Sequence, residues 1–193
     1  MLSILTGRAI NSRNVAADVL IVASLVGLDV AARLLPHAPD FTPVAASALF
    51  AASMLSVRAL ALVVPIIGLM LGDAVLGFYD FRIMVIVYAM LALPAGVAFL
   101  PRRLRRSRLI VPLLLSSSPL FFLATNFAVW AFSPMYPPNA AGLLDCYIAA
   151  LPFLRNMFAG DLFWGLVLFG LYGLAQGIQA VTNERLAVRI AAA

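Results

Sequence analysis

The chain has 193 residues, of which 64% are hydrophobic and 11% charged, with a net charge of +5 and a mean hydropathy of +1.06. Soluble domains carry about 25% charged residues, so the composition excludes a soluble globular fold and reads as one compact, all-α, polytopic membrane domain. All thirteen basic residues are arginine, and the single cysteine, Cys146, excludes an intrachain disulfide.

A helix needs roughly 20 apolar residues to cross a bilayer. The first such stretch is predicted at 15–35, without a convincing small-residue cleavage site, and reads as an uncleaved helix. It carries Asp18, Asp29 and Arg33; the last two are four apart, share a face and are expected to pair. A loop with three prolines follows, LLPHAPDFTP. The second segment, 44–57, is short and alanine-rich; Ala48 and Ala52 form a small-xxx-small pair that lets helix backbones approach closely. Arg58 follows, then a third segment, 59–77, that runs into the polar GDAVLGFYDFR. The fourth, 83–100, contains Tyr88 and Pro94, and the fifth, 109–132, contains Ser116 to Pro119 and Asn126. The stretch 133–160 reads as too polar and proline-broken to cross, with an interfacial helix over 143–158. The last span is predicted at 161–181.

Between the fourth and fifth segments lies PRRLRRSR, Pro101 to Arg108, with five arginines in eight positions. Short arginine-rich loops stay in the cytoplasm, so this run fixes the orientation and also suits anionic lipid headgroups. Its place between two apolar segments argues against nucleic acid as a partner. Six spans then put both termini in the cytoplasm. Ten arginines fall on that side: Arg8, Arg13, Arg58, the five of the loop, Arg185 and Arg189. The opposite loops are longer and collect aromatic, proline and ionisable residues, the pattern a site for an external ligand needs.

Within that set, His37 and Cys146, with Met135, are candidate soft-metal or cobalt ligands. Each also has a plainer reading, as a loop-shaping histidine and a small buried hydrophobe. Asp73 near the end of the third segment is expected to face the protein interior and to pair with Arg33 or Arg82. Asn126 and Trp130 put an amide and an indole on one helix face, lining a cavity or joining two helices. No HExxH, Walker A, GxSxG or defensible Ser-His-Asp arrangement occurs, so no enzyme is expected, and any active transport must draw on a partner or an ion gradient.

The run Arg33 to Pro43, Pro65, Gly72-Asp73, Gly77-Phe78-Tyr79, Tyr88, Thr125-Asn126 with Trp130, Tyr136, Gly142, Cys146-Tyr147 and Leu151-Pro152-Phe153 resembles a bacterial six-helix membrane family. That family is similar to the substrate-binding S components of energy-coupling-factor vitamin transporters, and the resemblance covers about residues 28 to 170. It implies a six-helix S-component-like bundle in the bacterial inner membrane, capturing a vitamin-like molecule from the periplasmic side. The partners it implies are a membrane scaffold subunit and ATPases. Ala16, Ala17, Ala23, Ala48 and Ala52 supply small-residue faces for such docking. Asp73, Arg82, Asn126 and Arg155 would hold the ligand's polar groups, while His37, Tyr79, Trp130, Tyr136 and Tyr147 would enclose it. Solitary members of the type include cobalamin carriers with a cysteine on cobalt, which makes a corrinoid the candidate ligand for Cys146, although its place before the last helix is not matched to the family's cobalt-binding position. A second reading, from a different class, is a non-catalytic structural or assembly subunit of a larger membrane complex. A third, an intramembrane enzyme, lacks a nucleophile or metal cluster.

Overall fold

The computed structural model describes residues 12–101 and 107–191. Most of the basic run at 101–108, with Arg8 and the side chains of Arg13, Arg185 and Arg189, lies outside the described residues. Six α-helices follow one another: α1 (Ser12–Leu34), α2 (Val44–Met54), α3 (Leu60–Leu76), α4 (Phe81–Ala92), α5 (Ser107–Phe132) and α6 (Ala140–Ala191). A 3-10 segment, Leu93–Phe99, continues α4, with Pro94 in its first turn, where the missing N–H costs nothing. Four stretches among the described residues are long and apolar enough to cross a membrane: Val15–Leu34, Phe81–Phe99, Val111–Phe132 and Ala140–Glu184. Apolar side chains such as Leu20, Val75 and Leu166 are turned outward, which suits a lipid solvent and not water.

The centre of the bundle is α2. Val44, Ala45, Ala46, Ser47, Ala48, Leu49, Ala51 and Ala52 are all buried, and α1, α3, α4, α5, α6 and the 3-10 segment all pack on it. A helix apolar on every side belongs in an interior, and alanine on every side lets all six neighbouring elements approach. Its 11 residues give about 16 Å of rise, about half a hydrocarbon core. It ends at Leu55, and the turn beyond is tied to α1: Asp18 accepts from the backbone N–H of Ser56 and Val57 at 3.0 and 2.9 Å and from Ser56 Oγ at 2.5 Å. That carboxylate satisfies the donors left free where α2 stops.

α3 buries Ala61, Val64, Pro65, Gly68, Leu69, Gly72 and Asp73, one stripe at helical spacing. Against it lies α1. A Cβ added to Gly68 would sit 2.9 Å from Asp29 Cβ, and one added to Gly72 would sit 2.6 Å from Arg33 Nε. The two glycines of α3 therefore receive the two charged residues of α1, four apart on each helix. This changes the pairing expected from sequence. Asp29 and Arg33 share a face but do not bond each other. Ser47 Oγ of α2 lies 2.8 Å from both Asp29 oxygens, and Arg33 reaches over Gly72 to Asp73.

The second difference concerns the C-terminal third. The interfacial helix expected at 143–158 and the span expected at 161–181 are one continuous helix, α6. Asn139 caps its start, its Oδ1 accepting from Gly142 N at 2.9 Å, and Gly142 passes so close to Pro137 O that a Cβ there would lie 2.1 Å away. Pro152 is the one proline inside. It does not end the helix. At about 1.5 Å per residue its 52 residues reach roughly 78 Å, more than twice a hydrocarbon core.

α6 packs along α5 but out of step with it. Cys146 Sγ meets Asn126 O at 3.4 Å and Asp161 meets Ser118 at 2.6 Å. Between those contacts α6 spends 15 residues (146 to 161) where α5 spends 8 (118 to 126). The two are therefore not straight antiparallel neighbours; one or both bend or lean over the interval that contains Pro152 and Pro119.

The α1–α3 contact gives a paired test. Gly68→Ala drives a methyl into Asp29 Cβ, the root of a side chain, so the helices must part. It is expected to lower the melting temperature in detergent by the equivalent of about 1–3 kcal/mol, the usual cost of overpacking. Gly27→Ala, whose Cβ meets nothing within 4 Å, is expected to leave it unchanged or raise it.

Candidate functional site

The chain runs up and down through the bundle, so the loops at 35–43, 77–80 and 133–139 gather at one end. Nine of the ten candidate residues lie in those loops or on the helix ends beside them; Arg155 is the sixteenth residue of α6, next to Asn156, which reaches the first loop. Their contacts divide them into separate groups.

The first group is buried between α1, α3 and α4. Arg33 pairs with Asp73, which also accepts from Tyr88 Oη at 2.9 Å. Asp73 is 2% exposed and Arg33 18%. A carboxylate this deep needs a cation and a second donor, and it has both. Tyr79, in the following loop, is close enough to feel the pair: burial, and then the Asp73 charge, push its hydroxyl up to about 12. The loop turns at Gly77, whose φ of 105° is a conformation glycine adopts without strain.

Arg82 is the second element. The sequence offered it as a partner of Asp73, but it closes on Asp80, two residues back, at 2.9 and 3.2 Å. Asp80 also caps α4 by accepting from Arg82 N at 2.9 Å. Both residues are surface groups, and the Arg82 bonds hold the Asp80 carboxyl down at about 2. The Arg82 guanidinium lies 4.7 Å over the Phe132 ring, which ties the start of α4 to the end of α5.

The third group sits between α5 and α6. Cys146 is 2% exposed and gives its S–H to Asn126 O at 3.4 Å. Tyr147 Oη donates to Leu123 O at 2.8 Å and its ring packs on Phe122 at 5.4 Å. Trp130 Nε1 donates to Pro137 O at 3.0 Å. The Asn126 side-chain amide turns back on its own helix, donating to Phe122 O at 2.8 Å. Tyr136 is half-buried in the loop above.

His37 stands apart. It is exposed, with Nδ1 2.7 Å from Leu35 O. Arg155 is exposed on α6, while its neighbour Asn156 donates to Pro39 O at 3.0 Å and pins the first loop. Among the described residues no three His, Cys, Asp or Glu side chains are grouped to hold a metal ion.

One polar crevice at this end was not anticipated. It lies where the first loop, α2, α4, α5 and α6 meet, and it has room for about one water, roughly 20 Å³. Asp40, Thr42, Ser117, Ser118 and Asp161 supply its polar lining, and none of the ten candidates takes part. The available signal was Asp161 itself, a carboxylate inside an apolar stretch, together with the serine run of α5.

Residues 13–183 match the model of a family of unknown function, DUF6580, and the chain belongs to that family. No curated protein and no solved structure matches it.

The Arg33–Asp73 pair is testable by a cycle. Asp73→Asn leaves a buried guanidinium without its counter-charge and is expected to cost about 3 kcal/mol or more. Arg33→Met together with Asp73→Leu is expected to recover most of it, read as melting temperature in detergent. The Asp80 clasp has a pH signature. A carboxyl held below its ordinary value adds stability that is complete above that value and is lost as pH falls through the lowered one. The gap in melting temperature between wild type and Asp80→Ala should be constant near neutral pH and shrink from about pH 4 towards pH 2.

Proposed function

We propose that the chain is a membrane substrate-capture protein of the energy-coupling-factor S-component type. It takes up a vitamin-like small molecule from the periplasmic face of the bacterial inner membrane, with both termini cytoplasmic. The observation that carries this reading is the confinement of the candidate residues to one end of an otherwise apolar bundle. Tyrosines, a tryptophan, a thiol and two arginine–aspartate pairs lie there under loops rich in proline. Ligand sites draw on such a mixture of apolar side chains and a few polar groups. The six helices and the short, enclosed α2 suit it.

In this reading the Arg33–Asp73–Tyr88 cluster is the rigid floor. Arg82, stacked on Phe132 at the surface, can turn from Asp80 to a ligand carboxylate or phosphate at small cost, since both of its partners stay solvated. The corner of Trp130, Cys146 and Tyr147 supplies the apolar and soft contacts. A corrinoid is the ligand for which Cys146 has a chemical use, and reaching cobalt requires the thiol to leave the Asn126 carbonyl.

A specific feature favours the assembly-subunit reading as the second choice. From Gly170 to Glu184 every side chain of α6 is exposed, and Gly170, Gly173 and Gly177 open a groove there. Glycine spaced this way on an exposed helix lets another helix approach closely.

Mass spectrometry and absorbance of protein purified in detergent from vitamin-supplied cells separate the two. The capture reading expects a stoichiometric co-purified small molecule, depleted by Arg82→Ala and, for a corrinoid, by Cys146→Ala. Clean apo protein from such cells overturns it and favours the assembly subunit.

A further inference from the structure

We propose that the crevice beside Asp161 is a binding site for one small desolvated monovalent cation, with Na⁺ as the fitting ion. Asp161 is 5% exposed, in the apolar part of α6. Its Oδ2 accepts from Ser118 Oγ at 2.6 Å, and that hydroxyl is its one hydrogen-bond partner among the described residues. No arginine or histidine of the described residues forms an ion pair with it; the ion pairs there are Arg33–Asp73 and Arg82–Asp80. A buried carboxylate with one neutral donor is far from compensated, so it calls for a proton or a cation, and the oxygens around it decide between them.

The remaining lining is built of oxygen. Ser117 Oγ spends its proton on Leu113 O at 3.0 Å, and Ser118 spends its own on Asp161, so each hydroxyl has only lone pairs left to offer a cation. Thr42 and Asp40 close it from the loop. The loop is fixed in place: Asn156 holds Pro39 O, and Phe41 lies against Gly160 so tightly that a Cβ there would be 3.2 Å from Phe41 Cα. Hard cations take oxygen ligands of this kind. The space, about 20 Å³, admits one ion stripped of its shell and excludes a hydrated divalent ion. The charge agrees. Asp161 is the one buried carboxylate of the lining and Asp40 lies exposed at the mouth, so the buried part of the crevice carries a single carboxylate. The site joins the first loop to α2, α4, α5 and α6, so an ion there would fix the loop over the bundle. The inference does not rest on the uptake reading, because it concerns the free protein without substrate.

The test uses the full chain in detergent, in choline chloride buffer, with NaCl replacing choline at constant ionic strength. The melting temperature should rise saturably with Na⁺, and ²²Na⁺ should bind at one equivalent. Asp161→Asn should abolish both while melting cooperatively. Should that variant not fold, Ser117→Ala, which removes one oxygen ligand, should weaken Na⁺ about tenfold. Equal melting temperatures in NaCl and choline chloride overturn the proposal in favour of a proton on Asp161. So does Na⁺ binding of undiminished affinity in Asp161→Asn or in Ser117→Ala.

Discussion

The close approach of α1 to α3 at Gly68 and Gly72 is the contact on which the rest of the bundle depends. Two missing side chains on α3 make room for a carboxylate and a guanidinium on α1. Because Asp29 sinks into that gap it reaches Ser47, which lies on the buried α2. Because Arg33 passes over Gly72 it reaches Asp73, and through Asp73 it reaches Tyr88 of α4. Four helices are thus registered by two polar contacts one helical turn apart. Lipid offers helices little hydrophobic reason to associate, so packing and polar contacts must set the arrangement. A slip of one residue in α1 would move both charges off the glycines at once, which makes the register strongly specified.

Four buried carboxylates, Asp18, Asp29, Asp73 and Asp161, show how this chain compensates charge in an apolar interior. Asp18 is met by the two backbone N–H groups and the hydroxyl of the turn after α2, so it also terminates that helix. Asp73 has an arginine and a phenol. Among the described residues, Asp29 has only Ser47 as a hydrogen-bond partner and Asp161 only Ser118. The first two are complete as they stand. The second two are one donor short of comfort, and they differ in their surroundings. Asp29 is sealed between α1, α2 and α3 with Gly68 packed against it, which leaves no room for an ion. Asp161 opens on a polar crevice with other oxygens around it, where an ion has both room and ligands.

The sequence made the helices legible because their apolar lengths are long, and it made the loop end legible because arginine, proline and aromatic residues separate by position along the chain. The first five segments were placed within a few residues. Pairing was harder. Asp29 and Arg33 at i and i+4 satisfy the helix rule for an ion pair, but the rule knows nothing of a glycine on the next helix that offers a better partner. The continuity of α6 was hidden for a related reason. Asn156, Arg155, Asp145 and Pro152 read as an interfacial helix in a linear sequence, yet the polar ones lie at the loop end, where a membrane helix tolerates them, and a single proline needs only one missing hydrogen bond. Asp161 was read as the edge of a span when it sits inside a helix against Ser118, because two polar residues 43 apart in sequence carry no mutual signal until α5 and α6 are placed side by side.

The slip between α5 and α6 connects these points. Had the two helices run in step from Asn126 and Cys146, the residue opposite Ser118 would lie near position 154, and α6 would close over the first loop. Instead α6 uses seven residues more than α5 over the same interval, and Asp161 arrives opposite Ser118. That extra length accommodates the loop: Asn156, Gly160 and Phe163 all touch residues 39 to 42. The loop-end geometry is therefore set from within, by a proline-bearing helix that gives way around a proline-rich loop. The loop is thus anchored to α6, so any displacement of it must carry the upper part of α6 along.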